Sequence, residues 1–130
     1  MTHDHVSDTP TVLLVDDEVE LADSLALWLE RRCQVRVAYS GREALQLFDE
    51  DVDVVFLDRN LPGLPGETVL QELRHRSDAD SPAVVMLSAT PSDELSDLPA
   101  DDVLTKPVTK TDIFDAVARF ADDTRGVTAE

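Results

Sequence analysis

Short apolar runs alternate along the chain with longer segments in which apolar residues recur at helical spacing. The short runs have the length and composition of β-strands, and they are Thr11–Val15, Val35–Ala38, Val52–Leu57, Ala83–Leu87 and Val103–Leu104. Apolar residues three or four positions apart, as on one face of an α-helix, fall within 21–29, 44–48, 69–73 and 113–121. Strands that alternate with helices predict βαβ units, and therefore a parallel sheet covered by helices on both faces.

Capping residues mark where two of these helices begin. Ser40 can cap the second helix, with Glu43 at its third position. Thr109 can cap the last helix, with Asp112 in the same relation. A hydroxyl followed three residues later by an acidic side chain is typical of a helix N-terminus, because each side chain can accept a hydrogen bond from a free backbone N–H.

A fifth helix is predicted between the last two strands. Thr90 and Pro91 have the pattern of an N-cap followed by a first-turn proline. Leu95 and Leu98 are the apolar positions of this segment, and Pro99 ends it. We therefore expect about two turns that bury little surface and are short, distorted or mobile. Five strands and about five helices make a small doubly wound α/β fold.

Composition indicates one globular domain without internal disulfides. The chain has 130 residues, of which 42% are hydrophobic, and its one cysteine is Cys33. We expect the domain over residues 11–123, with a disordered lead at 1–10 and a frayed tail at 124–130. No apolar run approaches the roughly 20 residues of a membrane span, and the N-terminus has no signal-peptide pattern, so the expected location is cytoplasmic.

The chain is strongly acidic. It has 28 acidic and 11 basic residues, which give a formal net charge of −17. This charge argues against direct binding of nucleic acid or of an anionic membrane by the domain itself. It also favours a salt-rich cytoplasm, because so many carboxylates repel one another unless counter-ions screen them.

Polar residues lie at the carboxyl ends of four of the five predicted strands. They are Asp16, Asp17 and Glu18 after the first strand, Asp58, Arg59 and Asn60 after the third, Ser88 after the fourth and Lys106 after the fifth. Each could alone be a helix cap, a turn residue or part of an acidic surface. Ligands of a doubly wound sheet bind beyond the carboxyl ends of its strands, so their joint placement favours a functional site.

The chemistry of this set points to phosphoryl transfer. Three carboxylates at close range, from Asp16, Asp17 and Asp58, cannot all stay ionised without a cation, and a hard divalent ion such as Mg²⁺ suits oxygen ligands. Lys106 would neutralise the transferred group, and Ser88 would donate a hydrogen bond to it. Asp58 is the predicted nucleophile, because it lies at the end of a central strand with partners on both sides.

Four motifs together resemble the receiver domain of a two-component response regulator. They are LLVDDE (Leu13–Glu18), VVFLDRNLPGLPG (Val54–Gly66), VVMLSA (Val84–Ala89) and LTKP (Leu104–Pro107). The composition, with LDRNLPG and LTKPV, resembles receivers of halophilic archaea in particular. The resemblance covers about residues 11–123 and implies a flavodoxin-like fold with strand order 2-1-3-4-5.

The resemblance also implies a role for each site residue. Asp58 would accept a phosphoryl group from a phosphohistidine on a sensor histidine kinase, and the chain would catalyse only its own phosphorylation and dephosphorylation. The implied ligands of Mg²⁺ are Asp17, which would bind directly, Asp16, which would act directly or through water, and Asp58 and the backbone carbonyl of Asn60. The groups implied to contact the phosphoryl group are Ser88, Ala89 and Lys106. In the family the bond before Pro107 is commonly cis, which would aim the lysine at the site.

Two departures from the family pattern concern how the signal leaves the site. The switch position three residues before the lysine is Val103, where the family often has Tyr or Phe. The segment between Ser88 and Lys106 is shorter than usual. We therefore predict that ordering or shifting of Ala89–Asp102, rather than an aromatic rotamer change, signals to an output domain or protein that the sequence does not identify.

Two glycines follow the proposed nucleophile closely. Gly63 ends the run Leu61-Pro62-Gly63, and Gly66 comes three residues later. We predict a tight turn here, in which glycine is used because the backbone must bend.

Three other functions compete with the receiver hypothesis. Haloacid dehalogenase-like phosphatases also use an Asp nucleophile with Mg²⁺, but they require a second Asp two residues later, where this chain has Asn60. A nucleotide-binding module would need a glycine-rich loop after the first strand, where this chain has DDEVE. A pseudo-receiver, which keeps the fold and only binds a partner protein, is the remaining alternative.

Overall fold

Within the described residues, nine secondary-structure elements follow the predicted alternation of strands and helices. The structure, a computed structural model, describes residues 9–76, 82–89 and 100–125, with side chains as far as residue 121. The elements are β1 (Thr11–Val15), α1 (Val19–Leu29), β2 (Gln34–Ala38), α2 (Gly41–Leu47), β3 (Val54–Asp58), α3 (Gly66–Arg76), β4 (Ala83–Ser88), β5 (Asp102–Thr105) and α4 (Lys110–Arg125).

The five strands of the described residues are parallel and form one sheet in the order β2-β1-β3-β4-β5, which confirms the predicted fold and strand order. The three central strands are buried along their whole length. Because side chains alternate between the two faces of a strand, Val12 and Leu14 pack with α1 and α4, whereas Leu13 and Val15 pack with α2 and α3. The edge strands β2 and β5 are less buried.

The helix caps predicted at Ser40 and Thr109 are confirmed, whereas the one predicted at Thr90 lies outside the described residues. The hydroxyl of Ser40 accepts a hydrogen bond from the N–H of Glu43 (3.1 Å), and the Glu43 carboxylate accepts one from the Tyr39 N–H (2.8 Å). The Thr109 hydroxyl accepts from the Asp112 N–H, and the Asp112 carboxylate accepts from the Thr109 N–H, both at 3.1 Å. These bonds fix where α2 and α4 begin, and α4 follows directly after the loop that carries Lys106.

Some of the predicted segments lie outside the described residues. The fifth helix falls within 90–99, which also covers most of the predicted Ala89–Asp102 switch segment, and the first eight residues of the lead fall outside as well. The described part of the chain holds four helices. The last of them continues to Arg125, two residues past the expected end of the domain.

Candidate functional site

The strand register brings three carboxylates together at the carboxyl edge of the sheet. Val15 pairs with Leu57, so the next residues along β1 and β3, Asp16 and Asp58, lie side by side. One carboxylate oxygen from each of Asp16, Asp17 and Asp58 lies within 4.8 Å of the others. Asp16 is fully buried and Asp58 is 3% exposed, whereas Asp17 is the most exposed of the three. The predicted acidic cluster is therefore formed.

The loop after β3 folds back over the carboxylate of Asp58. The N–H of Asn60 donates to Asp58 Oδ1 (3.1 Å), and the N–H of Arg59 donates to the carbonyl of Leu87 on β4 (2.9 Å). The backbone of Asn60 is thus held beside the three acidic side chains. Three carboxylate oxygens this close together suit a hard divalent cation, and a backbone carbonyl such as that of Asn60 is another oxygen ligand of the kind it prefers, so these residues fit Mg²⁺.

Lys106 is the positive charge within this cluster. Its Nζ lies 3.3 Å from Asp16 Oδ2 and 3.3 Å from Asp58 Oδ1. Its backbone N–H donates to the carbonyl of Ser88 (2.8 Å), and the Lys106–Pro107 peptide bond is cis. Burial alone would lower the pKa of Lys106, but the charges of Asp16 and Asp58 raise that pKa above its ordinary value. The lysine is therefore protonated at neutral pH.

The environment of Asp58 disfavours its charged form. Burial raises the pKa of the Asp58 carboxyl; the hydrogen bond from the Asn60 N–H lowers it, the charge of Asp16 raises it and that of Lys106 lowers it. The net shift of the pKa is upward, because the lowering by Asn60 and Lys106 does not fully offset the raising by burial and by the charge of Asp16. A cation that joined the cluster would favour the ionised carboxylate.

A stability prediction follows from the raised pKa of Asp58. A carboxyl group whose pKa is higher in the folded state costs stability when it ionises as the pH rises through that pKa. Asp58→Asn keeps the shape without the charge, so at pH 7 in EDTA it should raise the free energy of unfolding by about 1 kcal/mol, the size of a typical point-mutation effect. Urea unfolding measures the difference in free energy of unfolding between the variant and wild type, and this difference should shrink at acid pH. A variant less stable than wild type at pH 7 would contradict this.

Three further predicted residues lie on or beside β4 and β5. Ser88 is fully buried at the end of β4, where it pairs with Thr105, and Ala89 follows it at the surface. Val103 is partly buried on β5, pairs with Met86 and packs in the same layer as α2 and α3. Ser88 and Ala89 thus end at the same sheet edge as the acidic cluster, whereas Val103 packs beneath it.

The sequence did not predict an apolar cavity that borders the cluster. It has a volume of about 300 Å³ and lies between α1, β4 and the loop after β5. Its lining is mostly apolar, with Glu18 and Lys106 as the charged residues, and consists of Glu18, Leu21, Leu25, Leu87, Lys106, Pro107 and Val108. Its lining comes from separate elements, so no local motif could have indicated it.

None of the described helices combines the length and the apolar character that crossing a membrane requires.

Two curated proteins similar to this chain are named for transcriptional regulation and for sensory transduction. A Haloferax volcanii protein assigned to transcriptional regulation is 40% identical over 107 residues, which cover 82% of this chain and 18% of the relative. The sensory transduction protein RegX3 of Mycobacterium tuberculosis is 39% identical over 110 residues, covering 80% of this chain and 47% of the relative. The chain therefore spans less than half the length of these relatives.

Solved structures and a family model agree with these relatives. A response regulator receiver domain protein from Clostridium thermocellum has a TM-score of 0.79 at 26% identity, covering 89% of this chain and 97% of the other. The Francisella response regulator 1452 receiver domain has a TM-score of 0.79 at 29% identity, covering 89% of this chain and 99% of the other. The family model described as "Response regulator receiver domain" matches residues 12–118. With strand order, acidic cluster and relatives in agreement, this chain belongs to the response regulator receiver domain family.

Proposed function

We propose that this chain is a phosphoacceptor: Asp58 takes a phosphoryl group from a sensor histidine kinase in a Mg²⁺-dependent reaction, and the domain then changes conformation to signal. One observation carries the proposal. Asp58 is buried at the carboxyl edge of the sheet, within 4.8 Å of the Asp16 and Asp17 carboxylates and 3.3 Å from the Lys106 ammonium. A nucleophile, cation ligands and a fixed positive charge are therefore assembled in one place.

In the proposed reaction, a carboxylate oxygen of Asp58 attacks the phosphorus of a phosphohistidine. The new O–P bond forms as the P–N bond breaks, and the bonding pair goes to the imidazole nitrogen, which takes a proton from water. Lys106 would offset negative charge on the phosphoryl oxygens. The Ser88 hydroxyl and the backbone N–H of Ala89, which end the neighbouring strand, would donate hydrogen bonds to those oxygens.

Asp16, Asp17, Asp58 and the backbone carbonyl of Asn60 are the groups we propose to hold Mg²⁺. When bound, the ion would supply positive charge that offsets both the cluster and the transferred group. The carboxylates fix the position of the attacking oxygen, and burial around Asp16 and Asp58 keeps bulk water from screening these charges.

The proposed signalling involves a phosphoryl donor and a receiver of the signal. We propose a sensor histidine kinase as the phosphoryl donor and an output domain or protein as the receiver of the signal, in a salt-rich cytoplasm that screens the −17 net charge. The only reactions proposed for the chain itself are phosphorylation and dephosphorylation of Asp58. That charge disfavours direct contact with nucleic acid or anionic membrane by this domain.

Acetyl phosphate, a small phosphoryl donor, tests the proposal without the kinase. Wild type incubated with acetyl phosphate and MgCl₂ should gain the mass of one phosphoryl group, and the gain should disappear in EDTA. Asp58→Asn should show no gain, whereas Asp51→Asn, an exposed acid with the same charge change, should behave as wild type. Folded wild type that gains no mass under any of these conditions would favour the pseudo-receiver that only binds a partner.

A further inference from the structure

The first residue of α3 lies directly against the backbone of β3. A Cβ placed on Gly66 would lie 2.3 Å from the carbonyl oxygen of Asp58, 2.8 Å from the Arg59 Cα and 3.0 Å from the Arg59 carbonyl oxygen. Side-chain carbons do not come this close to other atoms, and these neighbours are backbone atoms that cannot rotate away. At position 66 the close approach itself therefore requires glycine.

This contact corrects one sequence-based expectation. The prediction that glycine lets the backbone bend is confirmed at Gly63, which has φ +80°. A Cβ placed there would lie more than 4 Å from every described atom beyond the two neighbouring residues. The prediction is wrong for Gly66, which is not among the described glycines with positive φ. The distance between α3 and β3, rather than a turn conformation, excludes a side chain there.

The backbone that Gly66 touches also holds the site residues. The Gly66 N–H donates to the carbonyl of Arg59 (3.1 Å), and the Arg59 N–H donates to the carbonyl of Leu87 (2.9 Å). The Arg59 peptide is thus fixed by α3 on one side and by β4 on the other. Its two neighbours are Asp58, the proposed nucleophile, and Asn60, whose N–H donates to the Asp58 carboxylate (3.1 Å).

We infer that Gly66 is a positioning residue of the cation site. Because Gly66 lacks a Cβ, α3 can pack on the Arg59 peptide. This packing determines the positions of the Asp58 carboxylate and the Asn60 carbonyl relative to Asp16 and Asp17. Mg²⁺ demands near-ideal octahedral geometry, so a displacement of a few tenths of an ångström at two ligands weakens binding strongly. The inference rests on the proposed Mg²⁺-binding function.

Two other glycines provide matched controls for Gly66→Ala. A Cβ on Gly41 would also clash, at 2.7 Å from Val69 Cγ2 and 3.0 Å from the Leu64 Cβ, but between α2 and the segment that begins α3, where no proposed ligand lies. Gly63→Ala strains the same loop without a clash. The three substitutions therefore separate loss of stability and loop strain from displacement of the site.

Isothermal titration calorimetry with MgCl₂ in molar KCl tests the inference, with circular dichroism to show that each variant is folded. Gly66→Ala should raise the Kd for Mg²⁺ at least about 10-fold, the lower end of the effect of residues that orient metal ligands. Gly41→Ala and Gly63→Ala should stay within about two-fold of wild type. If folded Gly66→Ala binds Mg²⁺ as wild type does, the inference is wrong. If wild type itself binds no Mg²⁺, the proposed function fails instead.

A second measurement on wild type decides the matter even if Gly66→Ala does not fold. In an NMR titration with MgCl₂, the amide resonance of Gly66 should shift together with that of Asn60 and with the same midpoint, because its N–H is bonded to the Arg59 carbonyl. The Gly41 amide should not move. An Asn60 shift without any shift of Gly66 would show that the contact supports only the fold, and would overturn the inference.

Discussion

Asp17→Ala should abolish Mg²⁺-dependent phosphorylation of Asp58, because it removes the carboxylate that we propose as a direct ligand. Residues that merely orient metal ligands contribute about 10- to 100-fold to affinity, so losing a ligand should weaken Mg²⁺ binding by at least about 100-fold. Calorimetric titration with MgCl₂ measures the affinity, and intact mass after treatment with acetyl phosphate measures the reaction.

Two comparisons make the Asp17 result specific. Glu20→Ala removes an exposed acid from the first turn of α1 and should leave both readouts unchanged. Asp16→Ala should weaken binding less, because its oxygens already have protein partners, namely the Glu18 N–H (3.0 Å) and the Lys106 ammonium (3.3 Å). Equal Mg²⁺ affinity in wild type and Asp17→Ala would contradict the assignment.

Lys106→Ala should leave some phosphorylation but remove the structural response to it. The variant loses the charge that would respond to the phosphoryl group, since Nζ lies 3.3 Å from both Asp16 and Asp58. The amide resonances of Ser88 and Val103 should move on phosphorylation in wild type and stay in place in the variant. Lys110→Ala, which changes the other, exposed lysine, should respond as wild type does. If Lys106→Ala shows the full response, the lysine is only a local counter-charge.

The same variant should also be less stable without metal. Removing one partner of a buried ion pair leaves charge unpaired and costs 3–5 kcal/mol when the burial is complete; Lys106 is 21% exposed, so we expect about 1–3 kcal/mol. The raised pKa of Lys106 means that its contribution is fully present at neutral pH and is lost only as the pH rises through that pKa. At acid pH the difference should narrow as Asp58 protonates. Urea unfolding in EDTA measures both the loss of stability and its dependence on pH.

The pattern of apolar runs predicted each strand to within two residues, and the deviations have physical reasons. β3 begins at Val54 rather than Val52 because Val52 still belongs to a turn, with its N–H bonded to the carbonyl of Asp49. The carboxylate of Asp53 then accepts a hydrogen bond from the Thr11 N–H (2.9 Å). The Asp53 side chain thus accepts a hydrogen bond that a backbone carbonyl would otherwise accept in strand pairing. Hydrophobicity alone does not predict this hydrogen bond.

The candidate site was predictable because its residues lie at the carboxyl ends of apolar strands, and these ends meet at one edge of a parallel sheet. The pairing of Lys106 with both Asp16 and Asp58 required the fold, because these contacts join residues far apart in the sequence. The role of Gly66 also required it. A glycine that a close approach demands looks, in a sequence, the same as one that a turn demands, and only the distance between α3 and β3 separates them.

Mapping the phosphoryl group to one side chain tests the central claim most directly. Sodium borohydride reduces an acyl phosphate on aspartate to homoserine, so the modified position can be read by peptide mass spectrometry after trypsin digestion. Wild type treated with acetyl phosphate and MgCl₂ should carry homoserine at position 58, in the peptide that ends at Arg59, and at no other acidic residue. Homoserine at a different aspartate, or none in protein that has gained a phosphoryl mass, would contradict the assignment of Asp58 as the phosphoacceptor.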